Sequence, residues 1–147
     1  MSLDISLNTR SLNPAGSGIF VRENGRTKEI SREEWDQKFP NREPVVMYTH
    51  QTYTAWHGNI TSNVADMAQE ADIYAALWMP ESCGFKFAAE IIGTLDIAVK
   101  MLKEQPQRFD AYNASNGWGT REQFVEFLEE YLQACRTYPT AEIAVDL

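Results

Sequence analysis

The sequence predicts an α+β fold: three main helices packed on a small, largely antiparallel sheet that includes the N- and C-terminal strands. Three observations carry that expectation. Leu3, Ile5 and Leu7 alternate with Asp4, Ser6 and Asn8, which is the period of a half-buried strand. Ala141-Glu-Ile-Ala-Val-Asp-Leu147 alternates in the same way at the other end. Between them, apolar side chains recur at three- and four-residue steps in three separate stretches, the period of an amphipathic helix. Helices bounded by strands, without strict strand–helix–strand alternation, favour a sheet covered by helices on one face.

Each element has its own local signal. Ser11 to Gly18 contains Asn13-Pro14 and two glycines and reads as a loop. Asn24-Gly25 separates Ile19-Phe-Val-Arg-Glu23 from Arg26-Thr-Lys-Glu-Ile30, and Asn-Gly is the preferred pair for a type I′ hairpin. Ser31 and Glu34 have capping-box spacing, so a short helix through Lys38 follows, ended at Phe39-Pro40. Residues 44–50 are apolar at their start and predict a second strand. From Ile60 the apolar positions Val64, Met67, Ala68 and Ala71 predict a long helix, interrupted near Asp72 and ended by Pro80. Phe87, Ile91, Leu95, Ala98, Val99 and Leu102 mark a central helix, in which Gly93 suggests close helix packing. Thr120 and Gln123 form a capping box ahead of a last helix, whose buried stripe is Phe124, Phe127, Leu128, Tyr131, Leu132 and Cys135. The terminal strand pairs either with the first strand or with residues 45–49.

The chain has 147 residues, which suggests one domain and allows a sizeable core without disulfide or metal. Its net charge of −8 is unevenly placed, because residues 1–43 are balanced and the excess lies in 44–147. No Lys or Arg occurs between Arg42 and Lys86. A duplex-binding face neutralises phosphates with basic side chains, so direct nucleic-acid binding is not expected. The acidic balance suits solubility or a protein partner with a basic surface. Cys83 and Cys135 are far apart and outside any CxxC motif, and read as buried, reduced thiols. No basic segment followed by an apolar run opens the chain, and the most apolar helix is broken by charges. A cytoplasmic location without membrane insertion is therefore expected.

Two stretches hold the candidate functional residues. Tyr48 to Asn63 is dense in polar and aromatic side chains and is expected to run from a strand end into a helix start, where free backbone N–H groups gather. Within it His57 is a conceivable general base, and Asn59, Thr61 and Asn63 supply hydrogen bonds. The bland alternative is that Thr61, Ser62 or Asn63 caps the helix and the aromatics cover the core. A metal site would have to combine His50 and His57 with Asp66 or a cysteine, at no recognised ligand spacing, so no metal and no cofactor are implied. Neither a GxSxG turn nor a P-loop is present. The second stretch is Asn113-Ala-Ser-Asn-Gly-Trp-Gly-Thr-Arg-Glu122, a glycine-bracketed tryptophan leading into the last helix. Trp118 either folds back as a lid on the core or stands out as a contact residue. The loop should lie near the start of the helix expected from Ile60, and at least one of Gly117 and Gly119 should have positive φ.

Leu3-Asp-Ile-Ser-Leu7, Asn59-Ile-Thr-Ser-Asn63 with Met67-Ala68, Asn116-Gly-Trp-Gly-Thr120 and Tyr131-Leu-Gln-Ala-Cys135 together resemble a family of small uncharacterised proteins from bacteriophage and prophage-bearing bacterial genomes. In that family an N-I-T-x-N segment opens the first long helix and an N-G-W-G loop opens the last. The resemblance covers the first strand and most of Asn59–Leu147, and makes residues 10–45 a variable hairpin and short-helix insertion in a single domain spanning 1–147. It implies no activity. It points to Asn59, Thr61, Asn63, Asn116, Gly117, Trp118 and Gly119, while Ser62 stands where relatives often have histidine. The leading expectation is a small phage-related accessory protein that binds another macromolecule. The alternatives are a small-ligand binder or enzyme with its site at residues 48–63, and an acidic nucleic-acid decoy built on Glu122, Glu126, Glu129 and Glu130.

Overall fold

A computed structural model describes residues 1–12, 17–47 and 50–147, with the backbone alone at 11, 12, 50 and 51. The chain forms two compact units, one from Met1–Thr9 with Thr54–Leu147, the other from Arg10–Tyr53.

The larger unit is built on strands β1 (Ser2–Leu12), β4 (His50–Thr61) and β5 (Glu142–Asp146) in the spatial order β4-β1-β5. β1 pairs β5 antiparallel, with Asp4 opposite Asp146 and Asn8 opposite Glu142. Thr54 Oγ1 bonds Asn8 Oδ1 at 3.1 Å and Asn59 Nδ2 bonds Asp4 Oδ1 at 2.9 Å, so β4 also runs opposite to β1. As the central strand, β1 buries Leu3, Ile5 and Leu7 completely. The terminal strand therefore chose the first strand over residues 45–49. It is also held to the next helix, because Ile143 N–H donates to Lys86 C=O and Ala88 N–H to Ala141 C=O.

Helices α4 (Ala88–Glu104) and α6 (Arg121–Thr137) pack on each other and on this sheet. Every member of the expected α6 stripe is buried. Trp56 of β4 stacks on Tyr131 with ring centroids 5.2 Å apart and planes 3° from parallel. Gly58 lies beneath that indole, and a Cβ there would strike Trp56. Gly93 departs from expectation. It is exposed on α4 with no atom near its missing Cβ, so it mediates no helix packing.

The long helix expected from Ile60 does not form. β4 continues through Thr61, a 3-10 turn covers Ser62–Val64, and only then come α2 (Ala65–Glu70) and α3 (Tyr74–Trp78). Ile60 is buried, as either a strand or a helix would have it. A central β1 needs a second neighbour, and the β-branched and aromatic residues of 53–61 suit that role. The break at Asp72 is present, with φ of +58°. Pro80 opens a second 3-10 turn, Pro80–Cys83, and Pro106–Asp110 forms a short helix α5 that plugs Phe109 into the core. Arg108 of α5 bonds Glu70 of α2 at 2.7 Å.

In the smaller unit, β2 (Ile19–Glu23) and β3 (Arg26–Ile30) pair through a tight turn in which Asn24 and Gly25 have φ of +52° and +76°. Positive φ at both centres is the type I′ geometry expected of Asn-Gly. Ser31 caps α1 (Arg32–Lys38) by accepting the Glu34 N–H. Of the strand expected at 44–50, the described residues 44–47 hold one antiparallel bridge, between Val46 and Ile19, with Val45, Val46 and Met47 exposed, and His50 instead opens β4. Tyr48 and the side chain of His50, both named in the sequence reading, lie outside the described residues.

Candidate functional site: an exposed tryptophan over a polar cleft

The loop before α6 is braced at nearly every backbone group. Asn116 Oδ1 accepts the Trp118 N–H at 3.0 Å, and Gly117 N–H donates to Ala114 C=O at 3.0 Å. Gln123 reaches back from α6, donating from Nε2 to Gly117 C=O and accepting the N–H groups of Gly119 and Thr120 on Oε1. Thr120 Oγ1 in turn accepts the Gln123 N–H, completing the capping box. Arg121 N–H is held by Asn113 Oδ1 at 2.7 Å. Gly117 and Gly119 have φ of +77° and +111°, so both glycines take conformations that L side chains avoid, which meets the expectation of at least one.

This braced loop meets the end of β4. Asn63 Nδ2 donates to Trp118 C=O at 2.8 Å, joining residues 55 apart in sequence. Gly119 is buried against Asn63 and Thr61, where an added Cβ would approach Asn63 Cβ to 2.9 Å. The expected proximity of the two stretches is therefore present, with a strand end and a 3-10 turn in place of a helix start. Trp118 is 71% exposed, which rules out the lid on the core. Its backbone is tied down while its indole stands in solvent.

An open cleft of about 690 Å³ lies between the loop and the strand end, lined among others by Ser2, Asn59, Thr61, Asn63, Trp118 and Gln123. Among the described residues lining it, none has an ionisable side chain, and the one ionisable group is the α-amino group of Met1. Asn59 and Asn63 each turn their NH₂ group to a partner that can only accept, the Asp4 carboxylate and the Trp118 carbonyl. That leaves the Oδ1 of each amide without a partner among the described residues. Thr61 Oγ1 accepts the Asn63 N–H and so serves as a cap, as the bland reading held.

The other candidates fall outside this cleft. His57 is exposed on β4, with Nε2 3.1 Å from Asp4 Oδ1, and does not line it. Asn116 lines a neighbouring hollow of about 540 Å³ with Ser62, Asp66 and Tyr112. Nearby, the Arg108 hydrogen bond holds the Glu70 carboxyl below its usual range, and the charge of Glu70 pushes the Tyr112 hydroxyl above its own. Neither is set up to exchange a proton near neutral pH. No group of three or more His, Cys, Asp or Glu able to hold a metal occurs among the described residues. Cys135 is buried as expected, but Cys83 is exposed, because the 3-10 turn at Pro80 carries it out of the core. Glu129 is engaged by Lys103, which takes one carboxylate out of the acidic α6 face.

Sequence reasoning missed Ser2 and Ile60 as cleft residues and saw Gln123 only as a cap. The signal for Ser2 was the first strand itself, but its neighbour across the sheet could not be read locally. No helix of the described residues is long and apolar enough to cross a membrane. The chain matches no protein-family model, no curated protein and no solved structure.

Proposed function

We propose that this chain is a binding protein rather than an enzyme, and that it engages its ligand at the cleft under Trp118. One observation carries the reading: a large apolar side chain is held 71% exposed on a cross-braced loop with two left-handed glycines. Strained backbone persists where the surroundings over-determine it, and such sites cluster at ligand contacts. An exposed, rigidly presented tryptophan is the residue type most enriched among binding hot spots. The lining offers amides, hydroxyls and an aromatic face, but no side chain with an acid, a base or an activated nucleophile. An accessory role in phage biology is supported by the motif resemblance, and a reducing cytoplasm suits the two unpaired cysteines.

The test is a ligand-observed and protein-observed NMR screen of the full chain against oligosaccharides, nucleotides and peptides, with Trp118→Ala as control. The variant should melt within about 0.5 kcal/mol of the parent, as surface substitutions do, and should lose the ligands that bind the parent. A screen in which nothing perturbs the Trp118 indole N–H would end this reading. A second reading, a protein partner with a basic surface, is favoured by exposed Glu122, Glu126 and Glu130 on α6. It predicts association that weakens steeply with salt and is indifferent to Trp118.

A further inference from the structure

We propose that the Trp118 cleft takes a neutral, hydroxyl-rich ligand, a short oligosaccharide, with one sugar ring stacked on the indole and hydroxyls donated to Asn59 and Asn63. This deepens the reading above and rests on it.

The argument is one of chemical complementarity. An indole offers a flat apolar face, and the C–H face of a pyranose is its natural counterpart, as a ring that buries apolar area without carrying charge. The indole Nε1–H of Trp118 has no partner among the described residues and is a free donor at the rim. Asn59 Oδ1 and Asn63 Oδ1 are free acceptors, because the opposite end of each amide is bonded within the protein. The hydroxyls of Ser2 and Thr61 also line the cleft. A ligand that fits must therefore donate several hydrogen bonds, accept a few and present an apolar face.

Other ligand classes fit less well. An anion such as a nucleotide or a sulfated glycan would meet free carbonyl oxygens, no cationic side chain among the described lining residues beside the single α-amino group of Met1, and a chain of net charge −8. A cationic ligand would meet a single aromatic ring rather than a cage. The Asp4 carboxylate, bonded to the lining residue Asn59, is already engaged by His57 and Asn59. A purely apolar ligand would leave the free amide oxygens desolvated and unpaired. The volume of about 690 Å³ falls within the roughly 300–1,000 Å³ of small-ligand clefts.

The experiment titrates the full chain with neutral chito-, cello-, malto- and manno-oligosaccharides, following the Trp118 indole N–H, assigned by its loss in Trp118→Phe, and, in parent and variants alike, the side-chain amide resonances of Asn59 and Asn63. Mononucleotides, a heparin fragment and a proline-rich peptide are titrated in parallel. At least one neutral oligosaccharide should shift that resonance saturably. Trp118→Ala should weaken it by about tenfold or more, while Trp118→Phe retains part of the affinity. Binding should be unchanged between about 0.05 and 0.5 M salt, because no charges pair. If no oligosaccharide binds, or if binding survives Trp118→Ala, the proposal is wrong. A nucleotide or the peptide binding alone would overturn the sugar assignment and leave the binding reading standing. Silence from every class would overturn both.

Discussion

Replacing Gly119 by alanine tests the geometry that joins the loop to the sheet. Gly119 has φ of +111°, and a Cβ there would lie 2.9 Å from Asn63 Cβ, 3.3 Å from Thr61 Cγ2 and 3.4 Å from the Asn63 carbonyl carbon. The strained backbone costs about 1–3 kcal/mol. The contact adds about 1–3 kcal/mol, as overpacking does. Asn63 cannot yield cheaply, because its backbone lies in the Ser62–Val64 turn and its side chain is bonded to Trp118 C=O. The reduced entropy of the unfolded chain offsets about 0.4–1 kcal/mol. The net loss should be about 1–5 kcal/mol. Gly117 is the internal control, with φ of +77° but no atom within 4 Å of an added Cβ. It carries only the left-handed penalty of about 1–2 kcal/mol, less the same entropic offset. Urea unfolding followed by circular dichroism, with the slope checked for constancy, measures both. Gly119→Ala should be the worse by about 1–3 kcal/mol. If the two variants agree within about 0.5 kcal/mol, the close approach of loop and strand end is not as described.

Other substitutions read other parts of the molecule. Gly93→Ala should stabilise by about 1 kcal/mol in the same assay, since Gly93 lies in α4 with open space around it, and a loss would mean the site is packed after all. Tyr131 is fully buried and its hydroxyl has no hydrogen-bond partner among the described residues, so Tyr131→Phe should be neutral or stabilise by up to about 1–3 kcal/mol, and a clear destabilisation would reveal a hidden partner. A maleimide reagent at pH 8 should label Cys83 alone in the native protein and both cysteines after denaturation, because burial pushes the Cys135 thiol up to about 12. The same shift makes stability fall as pH rises above about 9: the unfolded thiol ionises there while the folded one keeps its proton until about 12, and Cys135→Ser should remove the thiol's share of that slope, leaving the share of the Tyr131 hydroxyl, which burial also pushes above its usual range.

The features legible in the sequence are those whose partners lie within a few residues. Asn24-Gly25 set its own turn, because the two left-handed conformations it needs are the ones these residues tolerate. Ser31 and Thr120 cap the helices they precede through bonds to the third residue onward. The α6 stripe and the alternation of Leu3, Ile5 and Leu7 announced buried faces, because side-chain direction follows backbone period. The glycines around Trp118 announced an unusual loop for the same local reason.

What local pattern left open was decided by partners far along the chain. Ile60 and Val64 satisfy a helical period, yet residues up to Thr61 are strand, because β1 offers an unsatisfied backbone edge that a helix could not use. β5 lies on β1 rather than on residues 45–49, since it is also bonded to the start of α4. Trp118 is exposed although its residue type is buried on average, because Asn63 and Gln123 hold the backbone on either side of it. The candidate site exists only through that meeting. The sequence marked Asn59, Asn63 and Trp118 and placed their two stretches near each other, but not the cleft they line, because hydrogen bonds across 55 residues of sequence leave no periodicity to read and only the packed sheet and helices set the contact.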